Sequence, residues 1–251
     1  MALLEEFESQ GNWLFRYRSF LPLIILFIGW FLYLRKELHP EEFPLYKPEL
    51  DNYFLGAGIG IGLLGLFIRI YTVGHTPKNT SGRNTKEGQV ADTLNQTGIY
   101  SLVRHPLYLG NFLMWLGPSI VTAHIWFILT FIFMYWVYYE RIMFAEEQFL
   151  RKKFGNLYLS WSKRVPAFIP HFSGFQKAVY PFSWKKVLKK EKNGLFALFF
   201  IFCLFDVSGE LIQNDRYFNK FLLSMTGITG LSYVFLKFLK NKTKILDEED
   251  R

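Results

Sequence analysis

The chain has 251 residues, with 29 Lys and Arg against 21 Asp and Glu for a formal net charge of +8; 51% of it is hydrophobic and 20% aromatic, with 28 phenylalanines. So much apolar mass excludes an intrinsically disordered chain, and a single cysteine, Cys203, excludes a disulfide scaffold. The apolar residues gather into long runs with the charges between them, which is the pattern of a polytopic membrane protein and not of a soluble domain.

The first run, residues 20–34, is short for a spanning helix, and Tyr17 and Arg35 would complete it as interfacial anchors. Glu5, Glu6 and Glu8 stand where a signal peptide would be basic, so this run is expected to be retained. Residues 53–73 form the second run and hold two small-xxx-small pairs, Gly56 with Gly60 and Gly58 with Gly62. A dinucleotide fingerprint would need a preceding strand, so these glycines predict close helix packing. The run 107–139 is too long for one span, and Pro118, Thr122 and His124 fall near its middle. It reads as a tight helical hairpin. Residues 195–212 and 221–239 supply the last two runs, with Cys203 expected as a buried small hydrophobe in the first of them.

Six spans with both termini cytoplasmic would put the basic segments on one side, as the positive-inside rule requires. Those segments contain Arg16 and Arg18, then Lys78, Lys86 and Arg104, then the Lys- and Arg-rich stretch 140–194, then a tail ending in Arg251. The acidic loop 35–52, with Glu37, Glu41, Glu42, Glu49 and Asp51, would face the other way. The expected fold is an all-α, polytopic membrane helix bundle. Asp206 and Glu210 lie four residues apart on one helical face, near the end away from the basic segments. They read either as a helix–helix polar contact or as substrate-related acids.

Two clusters carry the candidate chemistry. The first is Thr97 to Gly110, which contains Arg104-His105-Pro106-x-Tyr108-x-Gly110 and runs straight into the third span. Pro106 suits the first turn of a helix, and the free amides of that helix start, beside Arg104 and His105, predict an anion-binding mouth. The second follows the fourth span: Arg141-Ile142, then Glu146-Glu147-x-x-Leu150, then Phe154-Gly155-x-x-Tyr158. A helix continuing out of the membrane would point one glutamate into the bundle and the other along its edge, with Gly155 as a helix stop. Arg164-Val165-Pro166 through Ile169-Pro170 reads as extended chain.

This ordered set of motifs resembles the isoprenylcysteine carboxyl methyltransferase-like family of integral-membrane methyltransferases, and phospholipid N-methyltransferases are similar. The resemblance covers roughly residues 53–172, leaving 1–52 as an N-terminal helix and loop and 173–251 as a two-helix appendage. It implies S-adenosylmethionine (SAM) as methyl donor, held at the cytosolic face. Arg104, Glu146 and Glu147 would be the catalytic residues, and Tyr100, His105, Pro106, Tyr108, Glu147, Tyr158 and Arg164 the cofactor-binding ones. A glutamate would pair the SAM ammonium, and the tyrosines would face adenine or the sulfonium. No metal and no nucleic acid is required.

The acceptor is expected among membrane lipids or lipidated molecules, because a site at the bundle mouth takes a head group while the tail stays in the bilayer. Arg104 suits a carboxylate or phosphate, which is already nucleophilic. Two other readings remain open: N-methylation of a phospholipid amine, and an NADPH-dependent reductase of a sterol-like lipid, whose family shares an Arg-His-Pro stretch.

Overall fold

A computed structural model describes residues 2–18, 20–43, 46–77, 83–85, 88–214 and 216–248. Of the basic positions named above, Lys78, Lys86 and Arg251 lie outside the described residues. The helices are α1 (Leu3–Tyr17), α2 (Leu21–Leu38), α3 (Asp51–His75), α4 (Pro106–Val121), α5 (Ile125–Phe154), α6 (Asn156–Ser162), α7 (Trp184–Ile212) and α8 (Lys220–Lys242). One small antiparallel hairpin, β1 (Arg83–Thr85) and β2 (Gly88–Val90), joins the α3–α4 connection. The chain is thus an all-α membrane bundle.

Among the described residues, α3, α5, α7 and α8 are long and apolar enough to cross a membrane, and α1 with α2, bent by 67°, would add a fifth as one broken span. Helix α4 has 16 residues. At 1.5 Å per residue that is about 24 Å, short of a hydrocarbon core of roughly 30 Å. Length and composition therefore give four to five spans where six were expected.

The long apolar run does fold back on itself. Pro118 stays inside α4, and the turn falls at Thr122, Ala123 and His124. Thr122 Oγ1 donates to the Ser119 carbonyl at 2.7 Å, while His124 Nδ1 accepts from the Phe127 amide at 3.0 Å and caps α5. Both polar residues thus satisfy backbone groups that a hairpin turn exposes.

Helices α3 and α4 approach through glycines. A Cβ on Gly58 would lie 2.7 Å from the Gly117 carbonyl oxygen, and one on Gly65 would lie 2.5 Å from that of Gly110. Gly62 receives Leu198 of α7. Gly56 and Gly60 meet nothing within 4 Å, so only one of the two expected pairs makes an interface. Leu66, Val121, Leu198, Phe202 and Cys203 form the core where α3, α4 and α7 meet, with Cys203 a buried free thiol.

Helix α1 packs along the C-terminal half of α5. Gly11 sits against the Arg141 carbonyl, and the Arg141 guanidinium lies 3.5 Å from the centroid of the Phe7 ring. Arg141 is therefore a packing residue that anchors α1. At the other end of the bundle, Asp206 accepts the Asn219 amide at 2.9 Å, and Glu210 accepts the Tyr217 amide at 3.1 Å. Both acids thus hold backbone amides of the connection between α7 and α8.

Candidate active site

Local sequence sets the frame. Gly155 takes φ +52°, ends α5 and starts α6, a conformation in which an L side chain would be strained. The chain then leaves α6 in non-helical form, and its Pro166 and Ala167 carbonyls accept the Arg104 and His105 amides at 2.9 and 3.1 Å. Trp161 Nε1 donates to the Tyr100 carbonyl at 3.1 Å. These bonds clamp the segment before α4 onto the segment after α6, which brings the two predicted clusters together.

At the junction the Arg104 Nη1 donates to Glu147 Oε2 at 2.7 Å and to the Tyr158 hydroxyl at 3.2 Å. His105 sits between both glutamates, with Nε2 2.9 Å from Glu147 Oε1 and Nδ1 3.5 Å from Glu146 Oε2. Burial alone would push the His105 pKa down; the hydrogen bonds and charges of Glu146 and Glu147 outweigh it and hold the imidazole above its ordinary value. Burial, with the nearby Glu147 carboxylate, raises the Tyr158 phenol, and burial, with Glu146, raises that of Tyr100, so both stay neutral.

Beside this junction lies a cavity of about 790 Å³. Tyr100, Arg104, His105, Pro106, Tyr108 and Glu146 line it. Glu147 and Tyr158 do not; they stand behind Arg104 and His105 and fix them. Arg164 is exposed and reaches only the Ser160 carbonyl, at 3.4 Å, so it is not brought to the cavity. Tyr108 stacks on His105 with ring centroids 5.7 Å apart and on its other side meets Tyr139, which stacks on Tyr135 at 4.1 Å.

Four of the amides around the start of α4 have protein acceptors. Tyr108 and Leu109 both donate to the His105 carbonyl at 3.1 Å, and the amides of Arg104 and His105 are taken by residues 166 and 167.

The cavity also has walls that the motifs did not indicate: Gln89 and Asn95 from the α3–α4 connection, Arg69 of α3, Asn111 of α4, and a face of α7. Arg69 makes a bidentate pair with Glu191 of α7, 2.8 Å for each bond, and donates to Asn111 Oδ1 at 2.5 Å. The signal for Arg69 was present, since a lone arginine within an apolar run is a functional candidate by default. Gln89 and Asn95 had no such signal.

Buried polar atoms support a ligand site. Among the described residues, the buried side-chain atoms without a hydrogen-bond partner are Glu37 Oε1, Gln89 Oε1, Asn95 Nδ2 and Arg104 Nε. The last three belong to residues lining this one cavity. Leaving such groups unpaired costs about 1–3 kcal/mol each, so their clustering marks where a polar partner is missing.

Residues 54–157 match the family described as phospholipid methyltransferase. The chain is 28% identical over 114 residues to the protein-S-isoprenylcysteine O-methyltransferase of Schizosaccharomyces pombe, covering 45% of this chain and 48% of that protein. It is 29% identical over 109 residues to the enzyme of the same name from Saccharomyces cerevisiae, covering 43% of this chain and 45% of the relative. It is also 30% identical over 128 residues to a nickel-cobalt-cadmium resistance protein of Alcaligenes xylosoxydans xylosoxydans, covering 50% of this chain and 56% of the relative.

The matched segment runs from α3 through α5 and stops at the start of α6. The chain spans about half the length of the curated relatives it matches, and no solved structure matches it. Among the described residues, no group of three or more His, Cys, Asp or Glu is placed to hold a metal ion.

The family implies a methyl donor, and the residues present fit one. The cavity volume lies within the roughly 300–1,000 Å³ of small-molecule sites. A carboxylate, an imidazole and a guanidinium converge on it, with three orphaned polar atoms around the wall.

Proposed function

We propose that this protein is an integral-membrane methyltransferase that moves the methyl group of SAM to an oxyanion, a carboxylate or a phosphate, of a lipidic acceptor. The reading rests above all on the convergence of Arg104, His105 and Glu146 on a single cavity, where Gln89 Oε1, Asn95 Nδ2 and Arg104 Nε are buried polar atoms without a hydrogen-bond partner. Bound SAM supplies an electrophilic methyl on a sulfonium, and the electron pair of the broken bond stays with sulfur.

The chain's own residues then have separable tasks. Glu146, the cavity-facing glutamate, pairs the donor's ammonium group. Gln89 Oε1 accepts and Asn95 Nδ2 donates, which suits the edge of a nucleobase or the ribose. Arg104 keeps Nη1 on Glu147 and Tyr158 and offers its buried Nε to the acceptor oxyanion. Because that oxyanion needs no general base, no proton has to be removed, and the rate gain comes from orientation and fixed charge. Glu147 and Tyr158 act through Arg104 and His105 as positioning residues, and Arg164 has no part.

Under this reading the site end of the bundle faces the cytosol, because it carries the basic segments. We also take 1–52, 53–172 and 173–251 as the three functional parts of the chain. The test is binding of SAM and of NADPH to the detergent-solubilised protein, followed by incubation with tritiated SAM and a lipid extract of the source cells. SAM binding and a methyl ester of an extracted lipid or lipidated molecule are expected, base-labile where the acceptor is a carboxylate. A methylated amine among the products would replace the oxyanion assignment, and NADPH binding without SAM binding would replace the reaction.

A further inference from the structure

The family match ends at residue 157, yet the cavity does not end with it. Lys190, Asn193, Gly194, Ala197, Leu198 and Ile201 of α7 line its far wall. Their spacing of three, four, seven, eight and eleven residues from the first is one continuous face of an α-helix. The face is ordered along its length. It begins with a cation and an amide, continues through two small residues, and ends in two aliphatic ones, opposite Met114 and Trp115 of α4.

The joint that holds this face in place is itself buried. Glu191, 4% exposed, is held by both Nε and Nη2 of Arg69, which is held in turn by Asn111. A helix outside the matched segment is thereby locked to α3 and α4 in a fixed rotation. The rotation turns residues 190, 193, 194, 197, 198 and 201 toward the cavity.

Resting on the methyl-transfer reading, we infer that α7 supplies the acceptor subsite and sets which acceptor tail is accepted. The matching ligand is an amphiphile, its polar head at Asn193 and Lys190 beside Arg69 and Asn111 and its apolar chain running past Gly194 and Ala197 toward Leu198 and Ile201. The small residues keep that channel open. A Cβ on Gly194 would stand 3.4 Å from the Met114 side chain, 3.5 Å from Glu191 Oε2 and 3.7 Å from Leu66 Cδ1, ordinary contacts, so alanine fits there and a longer side chain presses on this wall.

The experiment uses the full chain in detergent, tritiated SAM and a lipid extract of the source cells, with labelled products resolved by chain length. Ala197→Phe fills the channel, Gly194→Val narrows it, and Gly60→Ala, at a glycine that meets nothing within 4 Å, is the control. SAM affinity and the thermal midpoint are measured for each. Filling is expected to cut the label by about tenfold or more and to move the remaining product toward shorter chains, a discrimination of the size that pocket shape provides. SAM affinity should stay within about twofold, and Gly60→Ala should keep the wild-type profile. If Ala197→Phe does not fold, Gly194→Val carries the test through a raised KM with kcat unchanged. Folded, SAM-binding variants with the wild-type amount and chain-length profile of product overturn the subsite alone. So does loss of SAM affinity in step with the loss of label, since α7 would then belong to the donor site. A wild-type chain that binds no SAM rejects the methyl-transfer reading and the subsite with it.

Discussion

Replacing Glu147 by Gln separates two adjacent glutamates that the sequence left interchangeable. Glu147 makes one bond of 2.7 Å to Arg104 and one of 2.9 Å to His105, with Arg104 17% and Glu147 22% exposed at the side chain. Hydrogen bonds to charged groups contribute about 1.5–3 kcal/mol each. The glutamine oxygen still accepts from Arg104, but as a neutral group, and its amide faces a ring nitrogen that must give up its proton. Partial exposure and this retained bond put the expected loss at about 2–3 kcal/mol. For a chain of this size that corresponds to a fall in melting temperature of about 4–12 °C in detergent. Because Glu147 anchors the guanidinium, turnover should fall by about 10- to 100-fold, while SAM affinity changes by less than about tenfold. Glu146→Gln should do the opposite, weakening SAM by more than about tenfold with a smaller thermal shift. The two variants are compared by calorimetric SAM titration, thermal denaturation and initial rates. If Glu147→Gln melts like the wild type and weakens SAM as much as Glu146→Gln does, the division of labour between the two glutamates is refuted.

Removing the guanidinium altogether, in Arg104→Ala, should lower turnover by about 10²–10³-fold, the cost of one preorganised electrostatic donor, while size-exclusion profiles remain those of the folded protein; near-normal turnover would take Arg104 out of the mechanism. His105 has its pKa raised in the fold. Its contribution to stability is therefore complete below the unfolded value of about 6.5 and is lost as pH rises through the folded value. Thermal midpoints taken across that interval should decline with pH, and His105→Asn should remove that part of the decline; an unchanged pH profile in the variant would show that another group titrates. Gly65→Val forces a side chain onto the Gly110 carbonyl, 2.5 Å from the position of the first added carbon, and should destabilise the α3–α4 pair by about 1–3 kcal/mol or more. The same change at Gly60, which meets nothing within 4 Å, should leave the melting temperature almost unaltered.

How much of this was legible in the sequence varies with the distance over which each feature is decided. The His124 and Thr122 turn, the Pro106 helix start and the Gly155 stop are local devices, and all three fall where their residue types put them. The pairing of Arg104 with Glu147 across 43 positions was readable only as a family pattern, since no rule of spacing relates the ends of two helices. That the amides of Arg104 and His105 would go to the carbonyls of residues 166 and 167 could not be read from the helix start alone. Arg69 could have been read from its solitary charge in an apolar run. The α7 face could not, because Gly194, Ala197, Leu198 and Ile201 look like any membrane-spanning stretch until something is packed opposite them.

What the sequence determined alone is the medium and the chemistry available: apolar runs that require a bilayer, basic segments gathered between them, and a guanidinium, an imidazole and two carboxylates placed at helix ends. Run length and residue type decide these things, and both are properties of the chain one segment at a time. Which glutamate meets the cavity, which glycines form an interface, and that a helix outside the matched core walls the site were decided only by the packed bundle. Helical periodicity fixes which residues share a face, but the rotation of that face toward a neighbour is set by contacts such as Gly11 on Arg141, Gly58 on Gly117 and Arg69 on Glu191, between positions far apart in the chain.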